Sequence, residues 1–181
     1  MACSRDIKEQ LGLVQVYTGD GKGKTTASLG LGFRAAGCGL NVLMLQFLKP
    51  AAGCGEQLAV GHFDNFTFLP LGLDHMNGHR VDRANDLKVA AETFAKAKEL
   101  IYSGKYDLVI LDEINVAMDW ELLDPAAVIS MLQGRPEHIE VVLTGRHAPA
   151  AVIDYADLVT EMKMIKHPFA KGVGARRGIE Y

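Results

Sequence analysis

The chain has 181 residues, 49% of them hydrophobic, with a formal net charge of −3 and a pI of about 6.1. That length favours one domain, taken here as residues 1–181, with ample apolar residues for a core, and the mild acidity argues against a general nucleic-acid binder. Cys3, Cys38 and Cys54 have no paired or metal-ligand spacing, and residues 1–10 are a short polar segment without a signal-peptide core. No apolar run approaches the ~18 residues of a membrane span, so a cytoplasmic protein with no membrane or nucleic-acid partner is expected.

Gly12 to Tyr17 is an apolar, strand-like run. The stretch Thr18-Gly19-Asp20-Gly21-Lys22-Gly23-Lys24-Thr25-Thr26 follows it, and Thr25 to Ala36 reads as a helix. Strand, glycine-rich turn, helix is the setting in which a phosphate loop is credible. Glycines let the backbone approach an anion and turn its N–H groups inward. The helix N-terminus adds partial positive charge at the same point. Lys24 supplies a full charge, Lys22 is placed to meet a phosphate, and the Thr25 hydroxyl can ligate Mg2+. The common pattern G-x-x-x-x-G-K-[ST] would set its first glycine at position 18, where this chain has Thr18; Gly19 stands one residue late. The alternative is a turn that merely connects two elements.

Asn41 to Phe47 reads as a second, buried strand, Lys49 to Gly61 as a loop, and Phe63 to Leu69 as a third strand. Pro70 to Val81 is a second irregular stretch, containing His75, Met76, His79 and Arg80. Arg83 to Ser103 is the clearest helix, with Leu87, Ala91, Phe94, Ala97 and Ile101 on one face. Asp82 is its expected cap, Glu92–Lys96 a solvent-side pair, and Gly104 its stop. Tyr106 to Leu111 is a continuous apolar run, as in a parallel strand covered on both sides, and Asp112-Glu113 follows it. Asp124-Pro125 opens a helix ending near Gly134. Ile139 to Thr144 is the next strand, ending at Gly145-Arg146-His147; Pro149 begins a short helix, and Asp157 to Met162 is a last strand. The segment 165–181 is basic and glycine-rich, without periodicity.

Strands alternating with helices imply an α/β fold, a mostly parallel sheet with right-handed crossovers and helices on both faces. Ligands of such sheets bind outside the carboxyl ends of the strands, where the loop, Asp112-Glu113 and Gly145-Arg146 all fall. Acids at that position can hold Mg2+ opposite Thr25, though spacing does not say which of Asp112 and Glu113 is nearer the metal. Arg146 neutralises phosphate charge or makes a structural salt bridge; Arg34 lies late in the first helix and is equally compatible with a surface position. The six histidines show no zinc-like clustering. No base–hydroxyl dyad stands out near the loop, which fits a nucleophile that arrives already activated.

These pieces together resemble the P-loop ATP:corrinoid adenosyltransferases of cobalamin biosynthesis and salvage, from about Gly12 to Tyr181. The resemblance is carried by Tyr17 to Thr26, Gln46-Phe47-Leu48-Lys49, Leu111-Asp112-Glu113-Ile114, Gly134-Arg135-Pro136, Thr144-Gly145-Arg146 and the ending Lys171 to Tyr181. It implies a single-domain RecA-like P-loop fold and attack by Co(I) of a corrinoid on the 5′ carbon of ATP, with tripolyphosphate leaving. It implies that Gly21, Lys22, Gly23, Lys24, Thr25 and Thr26 contact phosphates and that Thr25 and Glu113 hold Mg2+ (or Mn2+). Arg34 becomes a candidate nucleotide contact. It also implies a homodimer and an electron-donor flavoprotein. The chain departs from the family at Asp20, where Asn is usual, and at Gly72-Leu73-Asp74-His75-Met76, where many members carry Gly-Phe-Thr-Trp. Leu73 and His75 then stand in place of the aromatics that help displace the lower axial ligand. A P-loop kinase or ATPase, or a nucleotide-dependent corrinoid-binding protein, are the competing readings.

Overall fold

Continuous apolar runs build the centre of the sheet. Strands β2 (Val42–Gln46), β4 (Leu108–Asp112) and β5 (Glu140–Thr144) are buried at every position, as strands covered on both faces must be. The computed structural model describes residues 7–49, 54–73 and 82–180. Within them β1 (Val14–Thr18) leads into α1 (Lys24–Gly37), β2 into α2 (Gly55–Val60), and β3 (Phe66–Pro70) precedes α3 (Arg83–Tyr102). After β4 come α4 (Ile114–Asp119) and α5 (Pro125–Gln133); α6 (Ala150–Tyr155) joins β5 to β6 (Leu158–Glu161). The sheet order is β3-β2-β4-β5-β1-β6, and every pairing is parallel.

The period of two along a strand sorts side chains between two layers. Val42 and Met44, Leu108 and Ile110, and Val142 face α1 and α2, meeting Ala35, Ala36 and Val60. Leu43 and Leu45, Val109 and Leu111, and Val141 and Leu143 face the other way, against Ala97 and Ile101 of α3, Ile114 of α4, Leu132 of α5 and Val152 of α6. Helices therefore cover both faces.

The expected outline differs from the structure in identifiable places. The 49–61 stretch is not all loop: it contains α2, with Val60 buried. The short α4, directly after Glu113, has no sequence counterpart above. In α3 the buried stripe is Asp86, Ala90, Thr93, Ala97 and Ile101, rotated from the expected one; Leu87 is 40% exposed. Small residues let the helix lie close to its neighbours, and the Thr93 hydroxyl donates to the Leu71 carbonyl at 3.5 Å. Asp82 caps α3 as expected, accepting from the Ala84 and Asn85 amides. The surface pairs are Lys88–Glu92 and Lys96–Glu99 rather than Glu92–Lys96. The expectations for Asp74, His75, Met76, His79 and Arg80 lie outside the described residues. Leu73 is half-buried.

Candidate active site

The loop between β1 and α1 is shaped by what lies beside it. Gly19 has φ +94, and a Cβ there would meet the Met162 carbonyl oxygen at 2.5 Å. Gly23, with φ +125, is the N-cap of α1; both are left-handed positions suited to glycine. The Gly21 amide donates to the Met162 carbonyl at 2.6 Å, tying the loop to the end of β6. The first-turn amides of α1 have no intrahelical acceptor and carry the positive end of the helix dipole. Lys24 is buried and donates to the Gly19 and Gly21 carbonyls at 2.7 and 2.8 Å. Burial lowers the pKa of its ammonium, against the opposing pull of Glu113.

Opposite the loop stand the acids of β4. Asp112 is fully buried and accepts four hydrogen bonds: from the Thr25 hydroxyl at 2.9 Å, the Thr144 hydroxyl at 2.7 Å, Gln46 Nε2 at 2.9 Å and Lys49 Nζ at 3.0 Å. Lys49 Nζ also reaches the Thr25 hydroxyl at 3.3 Å. Burial works against the Lys49 charge, but Asp112 and Glu113 outweigh it and raise its pKa. Glu113 has a different setting. Its backbone is left-handed, φ 63, uncommon for a non-glycine residue, and its amide donates to the Thr144 hydroxyl at 3.1 Å. Its side chain lines the cleft. Burial first and Asp112 second raise its pKa, despite Lys49, Lys24 and Arg146 nearby. Ionised Glu113 is thus held at a cost that a cation would offset.

One cleft of about 670 Å3 gathers Gly21 through Thr26, Lys49, Glu113 and Arg146, with Gly178, Ile179 and Glu180 as its outer wall. Arg146 is brought there by the turn after β5, which is anchored to β1 where the Ala148 amide donates to the Thr18 hydroxyl at 3.2 Å. Asp20 is turned toward that same turn, its Oδ1 4.0 Å from His147 Nε2. Arg34 is not brought in. Ten residues of α1 separate it from Lys24, about 15 Å, and it lines a different, smaller hollow with Ile7, Leu31 and Glu140.

Four polar residues at this site had no role assigned from sequence: Gln46, Lys49, Thr144 and Glu180. Three of them end or follow central strands, so the rule that ligands sit at strand carboxyl ends would have found them. Glu180 carries no such signal, because its place depends on the path of an irregular tail. The oxygen donors here (the Thr25 hydroxyl and the Asp112 and Glu113 carboxylates) are hard ligands of the kind Mg2+ takes. Lys49 Nζ already places positive charge against two of those groups, so the donor set fits a cation.

A glycine loop between a parallel strand and a helix N-terminus, facing acids on a strand two places away in the sheet, defines a P-loop protein of the RecA-like type. Residues 10–181 match the family model described as ATP:corrinoid adenosyltransferase BtuR/CobO/CobP. The chain is 43% identical over 184 residues to a corrinoid adenosyltransferase of Sinorhizobium sp, covering 100% of this chain and 84% of the relative. It is 35% identical to corrinoid adenosyltransferase CobA of Salmonella typhimurium (96% of this chain, 88% of the relative) and 34% identical to a corrinoid adenosyltransferase of Pseudomonas aeruginosa (96% and 86%). The chain belongs to the ATP:corrinoid adenosyltransferase family, a family of enzymes. Membership favours adenosyl transfer over the kinase, ATPase and binding-protein readings. Among the described residues, no helix is long and apolar enough to cross a membrane.

Proposed function

We propose that this chain transfers the 5′-deoxyadenosyl group of ATP to Co(I) of a corrinoid. The cobalt electron pair forms the Co–C bond, the C5′–O bond breaks, and tripolyphosphate leaves with that bonding pair. The observation that supports this best is the concentration of positive charge in one cleft: Lys22, Lys24, Lys49 and Arg146 beside the α1 N-terminus. Such an array suits a triphosphate leaving group, whose charge rises as the bond to carbon breaks. Co(I) brings no proton to remove, so the work left to the protein is to neutralise the leaving group, align carbon with cobalt and keep water out.

In this reading Gly19, Asp20, Gly21, Lys22, Gly23, Lys24, Thr25 and Thr26 form the nucleotide loop. Lys24 and Arg146 neutralise phosphate. Thr25 and Glu113 hold Mg2+ (or Mn2+), while Asp112 fixes the Thr25 hydroxyl from behind. The bound metal supplies charge neutralisation at the phosphates. The nucleotide lies with its ribose carbon, not its terminal phosphorus, toward the corrinoid. Reaching Co(I) takes low-potential electrons from a separate donor, a reduced flavoprotein. A cytoplasmic homodimer is the expected working form.

Protein mixed with ATP, Mg2+ and chemically reduced cobalamin should develop the absorption spectrum of a Co–C bond, and light should bleach it. An unchanged spectrum with folded protein would count against adenosyl transfer.

A further inference from the structure

The loop lysine that lies outside the helix is already holding an anion. Lys22 Nζ donates to Glu180 Oε1 at 2.9 Å and to the Ile179 carbonyl at 3.1 Å. Glu180 comes from the far end of the chain and lines the same cleft as the loop. We propose that Glu180 is a positioning residue of the nucleotide site, an internal anion that occupies Lys22 until the triphosphate takes it. This rests on the reading of the loop as a triphosphate site.

The geometry makes the exchange cheap. Glu180 has a second cationic partner: Arg176 donates from its backbone amide at 2.7 Å, from Nε at 3.2 Å and from an Nη at 3.1 Å. Losing Lys22 therefore does not leave the carboxylate unpaired. Bonds from Arg176 first and Lys22 second hold the Glu180 carboxyl well below its usual range, at about 2, so it is an anion at any working pH. The Lys22 side chain is 45% exposed, so its bond to Glu180 is of the weak, salt-screened kind. The loop's other cation, Lys24, donates its hydrogen bonds to main-chain carbonyls, and among the described residues no carboxylate is hydrogen-bonded to it.

Two consequences follow by linkage, since each partner must affect the other equally. A triphosphate that takes Lys22 breaks the two bonds by which Lys22 ties the segment 176–180 to the loop, those to Glu180 and to the Ile179 carbonyl. The same carboxylate, by competing for Lys22, weakens the hold on tripolyphosphate and favours its departure after transfer. Glu180 thus sets the balance between gripping the substrate's phosphates and letting the product go.

The test is calorimetric titration of full-length wild type and Glu180→Gln with sodium tripolyphosphate at low ionic strength. Glu180→Gln should bind about threefold to tenfold more tightly, and the difference should shrink as salt is added. In turnover its KM for ATP should fall while kcat does not rise. A tail needed only for architecture would give the opposite sign, so unchanged or weaker binding by Glu180→Gln overturns the proposal. A measurement on wild type alone stands beside it: amides of residues 176–180 should exchange hydrogen faster when tripolyphosphate saturates the protein, and equal or slower exchange also overturns it. Failure of wild type to bind tripolyphosphate at all would instead sink the reading of the loop, and this inference with it.

Discussion

Lys24→Ala should bind ATP about two orders of magnitude more weakly than wild type, with transfer activity lost and the fold retained. The ammonium sits at the mouth of the α1 N-terminus, bonded to the carbonyls of Gly19 and Gly21. A phosphate oxygen is a far stronger acceptor than either carbonyl, and hydrogen bonds to charged groups contribute about 1.5–3 kcal/mol each. Burial already lowers the pKa of this ammonium, so an anion arriving beside it meets a charge that is short of solvent and bonded to neutral carbonyls. Alanine removes that charge and leaves the apolar contacts of α1 in place. Calorimetric titration with ATP checks the result, and a circular dichroism spectrum checks the fold. Wild-type affinity in Lys24→Ala would mean that the loop does not grip phosphate.

The second large effect separates the two acids. Asp112→Asn should lower stability by about 3 kcal/mol, because it leaves the Lys49 ammonium without its buried counter-charge and forces an amide among the donors Thr25, Thr144 and Gln46. Glu113→Gln should behave in the opposite way. The folded-state pKa of Glu113 is raised; a carboxyl shifted in that direction favours folding below its unfolded pKa, and that contribution is lost as pH rises through the folded pKa. At neutral pH its charge is a burden, so the glutamine variant should be as stable as wild type or more so. Its transfer activity should nonetheless fall by roughly a hundredfold, the scale of losing one well-placed electrostatic group. Urea unfolding and initial rates with reduced cobalamin measure the two effects. Equal destabilisation by both variants would show that the acids do not divide the work in this way.

Much of this was legible in the chain because the signals are local. The apolar runs around Val42 and Val109 announce strands buried on both faces, and Gly-Lys-Thr after a strand announces a loop that opens a helix. Both are short-range patterns, and the parallel sheet and the meeting of three strand ends follow from them. What was not legible depends on contacts between distant segments. The buried stripe of α3 turned on which residues are small enough to pack closely, whereas the spacing of apolar residues put Leu87, Ala91 and Phe94 on the buried face. The family resemblance makes Arg34 a candidate nucleotide contact, yet the rise of the helix sets it about 15 Å along α1 from Lys24. The different settings of Asp112 and Glu113 come from Thr144 and Lys49, which no spacing within Leu111-Asp112-Glu113-Ile114 reveals. Glu180 meets Lys22 across nearly the whole sequence.

In the proposed reaction the loop and its cations hold three linked phosphates as a leaving group. Phosphorus NMR of the completed reaction with reduced cobalamin tests it most directly. Intact tripolyphosphate, in an amount equal to the adenosylated corrinoid formed, is the predicted product. ADP with orthophosphate, or a phosphorylated acceptor, would show that bond cleavage occurs at phosphorus and would contradict the account.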